Sequence, residues 1–210
     1  MKNHYIAIEG VIGVGKSTLA RLLQPFFDAE ILLEVFEENP FLTRFYQDRE
    51  RYAFQTQIFF LLSRFQQQHE AIPAALARAN LVSDYTFDKN KIFAGLTIER
   101  DELEMYERVQ DILATRIPPP DLIVYLSAST EVLLERIALR DRSYERGMDR
   151  DYIESLSQAY ETYFAHALAS PILRIETDEL DYVHRAEDLL TVVDRVRGKL
   201  REGTYQESLL

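Results

Sequence analysis

The sequence contains no cysteine, so the chain forms neither disulfide bridges nor thiolate zinc sites. This absence fits a reducing compartment such as the cytoplasm. Histidine is scarce as well, and the residues present lack the close spacing of a metal site: His4, His69, His166 and His184. Disulfide-stapled domains and zinc-thiolate proteins are therefore excluded.

Basic residues are in the minority, with 24 lysines and arginines against 35 aspartates and glutamates, a net charge of −11. Proteins that bind a nucleic-acid polymer need a basic face to neutralise its phosphates. The composition therefore argues against such a polymer as the main partner.

Long hydrophobic runs are absent too. The longest strongly apolar run covers residues 58–62, whereas a membrane span needs roughly 20 residues. Residues 1–4 lead into a short apolar run and a glycine-rich stretch, which is unlike a signal peptide. We expect a cytoplasmic protein with no membrane partner. Hydrophobic residues make up 47% of the 210 positions, enough to fill the core of one domain.

Five short apolar runs predict buried parallel strands, because each is continuous rather than alternating. They cover residues 5–8, 31–33, 80–83, 122–126 and 172–175. Segments of helical periodicity lie near residues 16–27, 50–78, 99–115, 129–139, 150–167 and 184–200. The alternation predicts an α/β fold, a five-stranded parallel sheet flanked by helices with right-handed crossovers. We expect one domain over residues 1–202 and a loose tail over 203–210.

The first predicted strand leads into a match to the phosphate-binding loop G-x-x-x-x-G-K-[ST]. The loop and the residue after it, all predicted to bind ATP, are Gly10, Val11, Ile12, Gly13, Val14, Gly15, Lys16, Ser17 and Thr18. Backbone N–H groups and the following helix N-terminus hold phosphate oxygens in such loops. Lys16 is expected on the terminal phosphates and Ser17 on Mg²⁺. The motif leaves GTPases, ATPase motors and small-molecule kinases open.

Two carboxylates follow predicted strands, Glu34 after the second and Asp84 after the third. Ligands of open α/β sheets bind at the carboxyl ends of the strands, so both acids should face the same crevice as Lys16. Either acid alone could be an ordinary helix cap, but two of them beside a phosphate loop favour a functional site.

Gln57 and Arg64 lie seven residues apart on one stripe of a predicted helix. A buried glutamine amide offers donors and an acceptor to a base edge. The ordinary alternative is that both side chains face solvent on an amphipathic helix.

Three arginines close the helix after the fourth strand, Arg136, Arg140 and Arg142, and Glu145 follows them. Arg136 and Arg140 are four residues apart and would repel each other unless an anion lies between them. The segment is either a solvated charged stretch or a lid whose guanidinium groups close over a transferring phosphate.

Together these segments resemble the deoxynucleoside kinase family, in particular the bacterial deoxyguanosine and deoxyadenosine kinases, from Tyr5 to about Phe164. Beyond the loop, the resemblance is carried by Glu34 with residues 37–41 (EENPF), by 45–46 (FY), 54–57 (FQTQ), 63–64 (SR), 83–85 (SDY), 92–94 (IFA) and 140–145 (RDRSYE). The fold that it implies is the P-loop kinase fold with an arginine-bearing lid.

The resemblance implies transfer of the γ-phosphoryl group of ATP, with Mg²⁺, to the 5′-hydroxyl of a deoxynucleoside. Deoxyguanosine or deoxyadenosine is the implied substrate, and a homodimer packed through helices is the implied assembly. Glu34 matches the carboxylate that takes the 5′-hydroxyl proton. Other matched positions are Tyr46 and Glu145 on the 3′-hydroxyl, Gln57 with Arg64 on the base, and the lid arginines Arg136, Arg140 and Arg142 on phosphate.

The chain departs from the family's Asp/Glu-Arg-Ser motif at one position. Asp84 matches the acid, which assists Mg²⁺ and is sometimes given the role of base, but Tyr85 stands where the arginine is usual. The charge beside the 5′-hydroxyl is then missing, and the division of labour between Glu34 and Asp84 stays open. Tyr85 and Asn90 are taken as substrate-binding positions, since Lys89-Asn90 stands where other members place a base-contacting acid.

Two other functions stay open at this point. A nucleoside monophosphate kinase of the thymidylate kinase type shares the fold and the loop, and needs an arginine anchor for its substrate phosphate. Candidates for that anchor are Arg44, Arg49 and Arg51. A non-catalytic descendant of the fold would be expected to lose the loop lysine, the acids or the lid arginines, which this sequence keeps.

Overall fold

The computed structural model describes residues 2–36, 38–142, 145, 148–166 and 169–207, with side chains as far as residue 202. Its centre is a five-stranded parallel sheet in the order β2-β3-β1-β4-β5. The strands are β1 (Tyr5–Gly10), β2 (Ala29–Leu32), β3 (Asn80–Ser83), β4 (Leu122–Ser127) and β5 (Ile172–Glu176). The predicted fold class and all five predicted strands are confirmed.

Helices connect the strands and continue beyond the last of them. They are α1 (Lys16–Leu23), α2 (Leu42–Gln47), α3 (Arg49–Leu76), α4 (Lys89–Thr97), α5 (Arg100–Ala114), α6 (Thr130–Arg140), α7 (Arg150–Ala165) and α8 (Ala186–Glu207). Among the helices of the described ranges, none is both long enough and apolar enough to cross a membrane.

The sheet is covered on both faces, which explains its continuous apolar sequences. Every residue of β1 is buried. Side chains alternate along a strand, and accordingly Ile6 and Ile8 pack into one hydrophobic cluster while Tyr5 and Ala7 pack into another. A strand with two buried faces has no polar face to present, so its sequence shows no alternation.

The strand order places the carboxyl end of β1 at a topological switch point. The chain forms the strands on the β3 side of β1 first and the strands on the β4 side afterwards. Ala7 of β1 therefore pairs with Ser83 on one side and with Ile123 on the other. Crevices at such points are the usual ligand sites of open α/β sheets. The loop after β1 and the residues after β2 and β3 meet there.

Three local features differ from the sequence prediction. The predicted helix 16–27 divides after Leu23 into α1 and a 3-10 helix, Gln24–Phe27, because Pro25 lacks the N–H that would continue an α-helix. Helices α2 and α4 were not predicted, since six and nine residues give little periodicity. Finally, α8 continues to Glu207, where a loose tail from residue 203 was expected.

Candidate active site

The phosphate loop forms a tight turn between β1 and α1. Gly13 and Gly15 have φ angles of 87° and 101°, which residues with side chains rarely adopt. A Cβ at Gly13 would lie 2.9 Å from the Leu133 carbonyl oxygen, and one at Gly15 would lie 2.5 Å from the Tyr182 hydroxyl. The glycines are therefore required both by the backbone turn and by the close approach of α6 and the segment after β5.

Lys16 folds back over this loop. Its Nζ donates to the carbonyl oxygens of Gly10 at 2.7 Å and Val11 at 2.9 Å. Withdrawal from solvent, assisted by the positive charge of Lys89, lowers the pKa of Lys16 to about 7. Burial disfavours the charged form of this lysine. A phosphate beside it would favour the charged form again, so the site favours an anionic ligand.

Asp84 comes directly after β3 and is 5% exposed. One carboxylate oxygen accepts a hydrogen bond from the Ser17 hydroxyl, and the other accepts from the Glu34 backbone N–H at 2.8 Å. Asp84 thus connects the start of α1 with the segment that follows β2. The predicted convergence of Lys16, Glu34 and Asp84 is what the structure shows, since all three line one pocket.

Glu34 lies at the centre of that pocket with a cation on each carboxylate oxygen. Arg64 of α3 donates from Nε to Oε1 at 2.7 Å, and its second terminal nitrogen lies 2.5 Å from the same oxygen. Lys89 of α4 donates to Oε2 at 2.6 Å. Burial alone would raise the pKa of the Glu34 carboxyl, but the two cations together hold it well below its usual range. The carboxylate is therefore charged and fixed in orientation.

Gln57 faces the apolar end of the same pocket, near Phe45, Phe60 and Phe93. Its side-chain amide donates to the Thr97 hydroxyl oxygen at 3.2 Å, and that hydroxyl donates to the Phe93 carbonyl at 2.7 Å. This orients the amide so that Oε1 is a buried acceptor with no hydrogen-bond partner among the described residues. A buried unpaired acceptor calls for a ligand donor.

Gln57 and Arg64 lie on one stripe of α3, but they are two helical turns apart. Two turns of helix span roughly 10 Å, so Arg64 reaches Glu34 while Gln57 reaches the apolar end. Arg64 also donates to Asn90 Oδ1 at 2.6 Å. The described partners of Arg64 are therefore Glu34 and Asn90, and its predicted place beside Gln57 at the base stays a prediction.

The last residue of α6 and two residues after it form the outer wall of the pocket, and we call Arg140, Arg142 and Glu145 the lid residues. Arg140 lies 2.5 Å from Glu145 Oε2, and Arg142 lies 3.6 Å from Oε1. The Arg142 guanidinium also covers the Phe36 ring at 4.1 Å. Residues Glu37, Ser143 and Tyr144, which contributed to the resemblance, lie outside the described part of the chain.

A second cavity lies on the other side of the loop, lined by Thr18, Arg136 and Tyr182 as well as by two lid residues, Arg140 and Arg142. Arg136 is turned away from Arg140, and its two terminal nitrogens donate to the Thr177 hydroxyl at 2.9 Å and carbonyl at 2.8 Å. Arg136 binds Thr177 whereas Arg140 binds Glu145, so the expected repulsion between these two arginines is relieved.

Two predicted substrate-binding residues do not line either cavity. Tyr85 is fully buried, and its hydroxyl donates to Gln67 Oε1 at 2.5 Å. Asn90 is fully buried as well, with its amide divided between Arg64 and the Phe87 carbonyl. Side chains alternate along a strand, and Tyr85 continues the alternation of β3 past Asp84. Asp84 faces the crevice, so the Tyr85 side chain points away from it.

Lys89 is the pocket residue that sequence reasoning missed. It lines the pocket, is 6% exposed and contacts Glu34 directly. The resemblance named Lys89 only beside Asn90 and gave it no role, and its helix was not predicted. A lysine five residues after the strand acid is too general a signal to indicate a site.

A phosphate loop after the central strand of a parallel sheet ordered 2-3-1-4-5, with acids and arginines around it, defines a P-loop kinase. The family model described as deoxynucleoside kinase matches residues 6–201. The chain therefore belongs to the deoxynucleoside kinase family, whose members are phosphotransferases.

Known relatives agree with this membership. The chain is 34% identical to the deoxyguanosine kinase of Bacillus subtilis over 198 residues, covering 92% of this chain and 96% of that protein. It is 36% identical to the deoxyadenosine kinase of Dictyostelium discoideum over 186 residues, covering 85% and 74%. The solved deoxyadenosine kinase from M. mycoides with bound dATP superposes with a TM-score of 0.80 at 25% identity, covering 93% of this chain and all of that one.

Proposed function

We propose that this deoxynucleoside kinase transfers the γ-phosphoryl group of ATP to the 5′-hydroxyl of a purine deoxynucleoside. One observation carries the proposal: Glu34 lines a single pocket together with Lys16 and Ser17 of the phosphate loop and with Gln57 of α3. A nucleoside held by its base at Gln57 extends its sugar toward Glu34 and the phosphate loop. The products are ADP and the deoxynucleoside 5′-monophosphate.

The donor phosphates are assigned to the loop and the lid. Lys16 exchanges its two carbonyl acceptors for phosphate oxygens, which are stronger partners for an ammonium group. Arg140 and Arg142 line both cavities, so they can reach a phosphate chain that passes from one to the other. The second cavity, with Thr18 and Arg136 in its wall, takes the remainder of the donor nucleotide.

Ser17 and Asp84 fit a Mg²⁺ ion carried by the triphosphate. Their hydroxyl and carboxylate oxygens are already in hydrogen-bond contact, and hard oxygen ligands of this kind suit magnesium, which keeps water and phosphate as its other ligands. When bound, the ion neutralises charge on the donor phosphates. Asp84 would hold the ion directly. Glu34, whose backbone N–H donates to Asp84, then remains beside the nucleoside that accepts the phosphoryl group.

The proton of the 5′-hydroxyl is assigned to Glu34 rather than to Asp84. Asp84 is bonded to Ser17 and is assigned to Mg²⁺ with it, which leaves Glu34, whose side chain lines the same pocket, for the acceptor hydroxyl. An ion-paired carboxylate is a weak base. Phosphoryl transfer nevertheless has a loose transition state in most analyses, so positioning the hydroxyl contributes more than early proton removal.

The sugar is assigned to Tyr46 and Glu145. Both line the pocket, and the Tyr46 ring packs edge-on against Phe45 with centroids 5.4 Å apart. Glu145 is 5% exposed and held by the lid arginines. A phenol and a carboxylate can share one 3′-hydroxyl, one donating to its oxygen and the other accepting its proton.

The preference for a purine rests on the relatives and on the acceptor at Gln57. Two of the relatives above are named for deoxyguanosine and deoxyadenosine. The unpaired Oε1 of Gln57, with an N–H of the same amide, can pair with a donor and an acceptor on one base edge. Phe60 and Phe93 supply the apolar walls that a base ring needs.

A nucleoside monophosphate kinase is less well supported. The arginines that could anchor a substrate phosphate do not line the pocket within the described residues: Arg44 and Arg51 lie against the Tyr52 ring, and Arg49 lies against Tyr152 and Asp149. Each of them already has a partner on the outside of α2 or α3.

The test is a panel of the four deoxynucleosides, guanosine, adenosine and the four deoxynucleoside monophosphates, each with ATP and Mg²⁺. We expect deoxyguanosine or deoxyadenosine to give the highest kcat/KM and the monophosphates to give no turnover. A kcat/KM for deoxycytidine or thymidine tenfold above both purines would reject the base preference. Turnover of a monophosphate alone would reject the acceptor assignment.

We also propose that two copies pack through α3 and α5. These helices contact each other and expose large apolar side chains, with Leu62 52%, Met105 50% and Ile112 66% exposed. Light scattering should give twice the mass of the chain, and Ile112→Glu together with Leu62→Glu should give a monomer. A monomeric wild-type protein at micromolar concentration would contradict this assembly.

A further inference from the structure

Lys89 is a buried cation whose position has no structural explanation apart from the pocket. It is the first residue of α4, 6% exposed, and its carbon chain passes the Phe93 ring, with Nζ 5.7 Å from the ring centroid. Burying an ammonium group is unfavourable unless an anion compensates it. The compensating group is Glu34, at 2.6 Å from Nζ.

Glu34 does not need Lys89 for neutralisation, because Arg64 already provides a full positive charge. Arg64 contacts only Oε1, through two of its nitrogens, and its third nitrogen is fixed by Asn90. Arg64 is therefore a rigid part of the pocket wall. Lys89 fixes the other oxygen, Oε2, so the two cations together determine which way the carboxylate plane faces.

The position directly after the strand acid supplies no charge here. Tyr85 is buried and bonded to Gln67 outside the pocket. The pocket nevertheless has five cationic and three anionic side chains in its described lining: Lys16, Arg64, Lys89, Arg140 and Arg142 against Glu34, Asp84 and Glu145. Of these cations, Lys89 and Arg64 are the two that contact Glu34.

We propose that Lys89 is a positioning residue for phosphoryl transfer, which holds Glu34 Oε2 so that the carboxylate stays oriented toward the acceptor hydroxyl. The inference rests on the proposed function, because it gives Lys89 a role through the same carboxylate. Lys89 reaches Glu34 from α4, across the pocket from Arg64 on α3.

The experiment compares kcat and the nucleoside KM of the wild type, Lys89→Met, Lys89→Arg and Lys91→Met at pH 7 with ATP and the best deoxynucleoside. Lys91 is the matched control, because it lies two residues further along α4 and pairs with Asp111 at the surface at 2.9 Å. We expect Lys89→Met to lower kcat at least tenfold, with the nucleoside KM within threefold of wild type. A merely structural role would not separate kcat from KM in this way.

Lys89→Arg should keep kcat within about fivefold, because it retains a cation that can hold Oε2. Lys91→Met should match the wild type. A Lys89→Met enzyme with wild-type kcat overturns the inference. Thermal melts report folding, and if the methionine variant does not fold, Lys89→Gln is measured against the same criteria.

A double-mutant cycle separates an action through Glu34 from an independent one. In a Glu34→Gln background, Lys89→Met should lower kcat less than threefold further, because the group that it positions is gone. A further tenfold loss in that background contradicts a role through Glu34. A wild type that phosphorylates no deoxynucleoside overturns the proposed function and this inference with it, whereas an active wild type with a neutral Lys89→Met overturns the inference alone.

Discussion

The inner and outer walls of the pocket are built in different ways. The inner wall consists of Glu34, Arg64, Lys89 and Asp84, which come from distant parts of the chain and are each at most 10% exposed. The outer wall consists of the lid residues, which lie within six positions of each other. Their arginines, Arg140 and Arg142, keep 34% and 32% exposure.

This difference separates charges that are held by buried partners from charges that keep contact with solvent. The charged side chains of the inner wall are buried and hydrogen-bonded to one another or to the neighbouring backbone, which is the condition for electrostatic preorganisation. The lid arginines share one carboxylate, Glu145, and can exchange it for phosphate at little loss of solvation. We therefore expect inner-wall changes to affect kcat strongly, and lid changes to affect donor binding and closure.

The largest effect is expected at the loop, where the inner wall meets the donor. Lys16→Ala should lower kcat about a thousandfold or more, the upper range for loss of one preorganised charge. The melting temperature should stay within a few degrees, since Lys16 contacts only two loop carbonyls. A variant that keeps more than a tenth of wild-type turnover would show that the loop does not hold the reacting phosphate.

Glu34→Gln should lower kcat at least about a hundredfold, the lower range for loss of a general base. It also leaves Arg64 and Lys89 buried without their anion, a loss of order 3–5 kcal/mol for a broken buried pair, so its melting temperature should fall. Steady-state kinetics and a melt on the same sample measure both effects.

Asp84→Asn is the matched comparison within the inner wall, since it keeps the shape of the side chain. Its main effect should be a higher Mg²⁺ concentration for half-maximal activity, because one proposed ligand loses its charge. If Glu34→Gln shifts the magnesium requirement and Asp84→Asn lowers kcat without shifting it, the two acids have the opposite roles.

The outer wall should respond more weakly. Arg142→Ala should lower kcat/KM for ATP about ten- to a hundredfold without changing the melting temperature, because Arg142 lies 3.6 Å from Glu145, which keeps its shorter pair with Arg140. Lys199→Ala, which breaks an exposed pair with Glu202 on α8, is the control and should change neither quantity. A loss of stability in Arg142→Ala would mean that the lid is part of the rigid wall after all.

The smallest effect is expected at the sugar. An unsatisfied buried 2′-hydroxyl costs about 1–3 kcal/mol, so the wild type should prefer a deoxynucleoside over its ribonucleoside by about ten- to a hundredfold. Tyr46→Phe should weaken deoxynucleoside use and leave that ratio nearly unchanged, because the ring stays. Tyr46→Ala should collapse the ratio. Equal kcat/KM for guanosine and deoxyguanosine in the wild type would refute the assignment.

Much of the fold was accessible from the sequence, because its signals are local. The apolar runs of β1 and β4 are buried on both faces and therefore unmistakable. The loop at residues 10–17 is recognised by its fixed spacing. Glu34 and Asp84 were predicted because ligands of open α/β sheets bind at the carboxyl ends of the strands. Helices α2 and α4 were missed because tertiary packing, rather than periodicity, maintains such short elements.

The partners inside the pocket could not be read from the sequence, because they depend on contacts between distant elements. Arg64 and Gln57 share a stripe of α3, yet they serve opposite ends of the pocket. Lys89 reaches Glu34 across 55 positions of sequence. The direction in which Tyr85 points is decided by the strand before it, and no motif encodes it.

The central claim is that the acceptor atom is the 5′-hydroxyl beside Glu34, and the position of the phosphate on the product tests it most directly. Wild-type enzyme is incubated with ATP and deoxyguanosine, and the product is examined by proton-coupled phosphorus NMR. The account predicts a triplet from the two 5′ protons, and no product from 2′,5′-dideoxyguanosine, which lacks the acceptor oxygen. A doublet from a 3′-phosphate, or phosphorylation of the 5′-deoxy analogue, would contradict it.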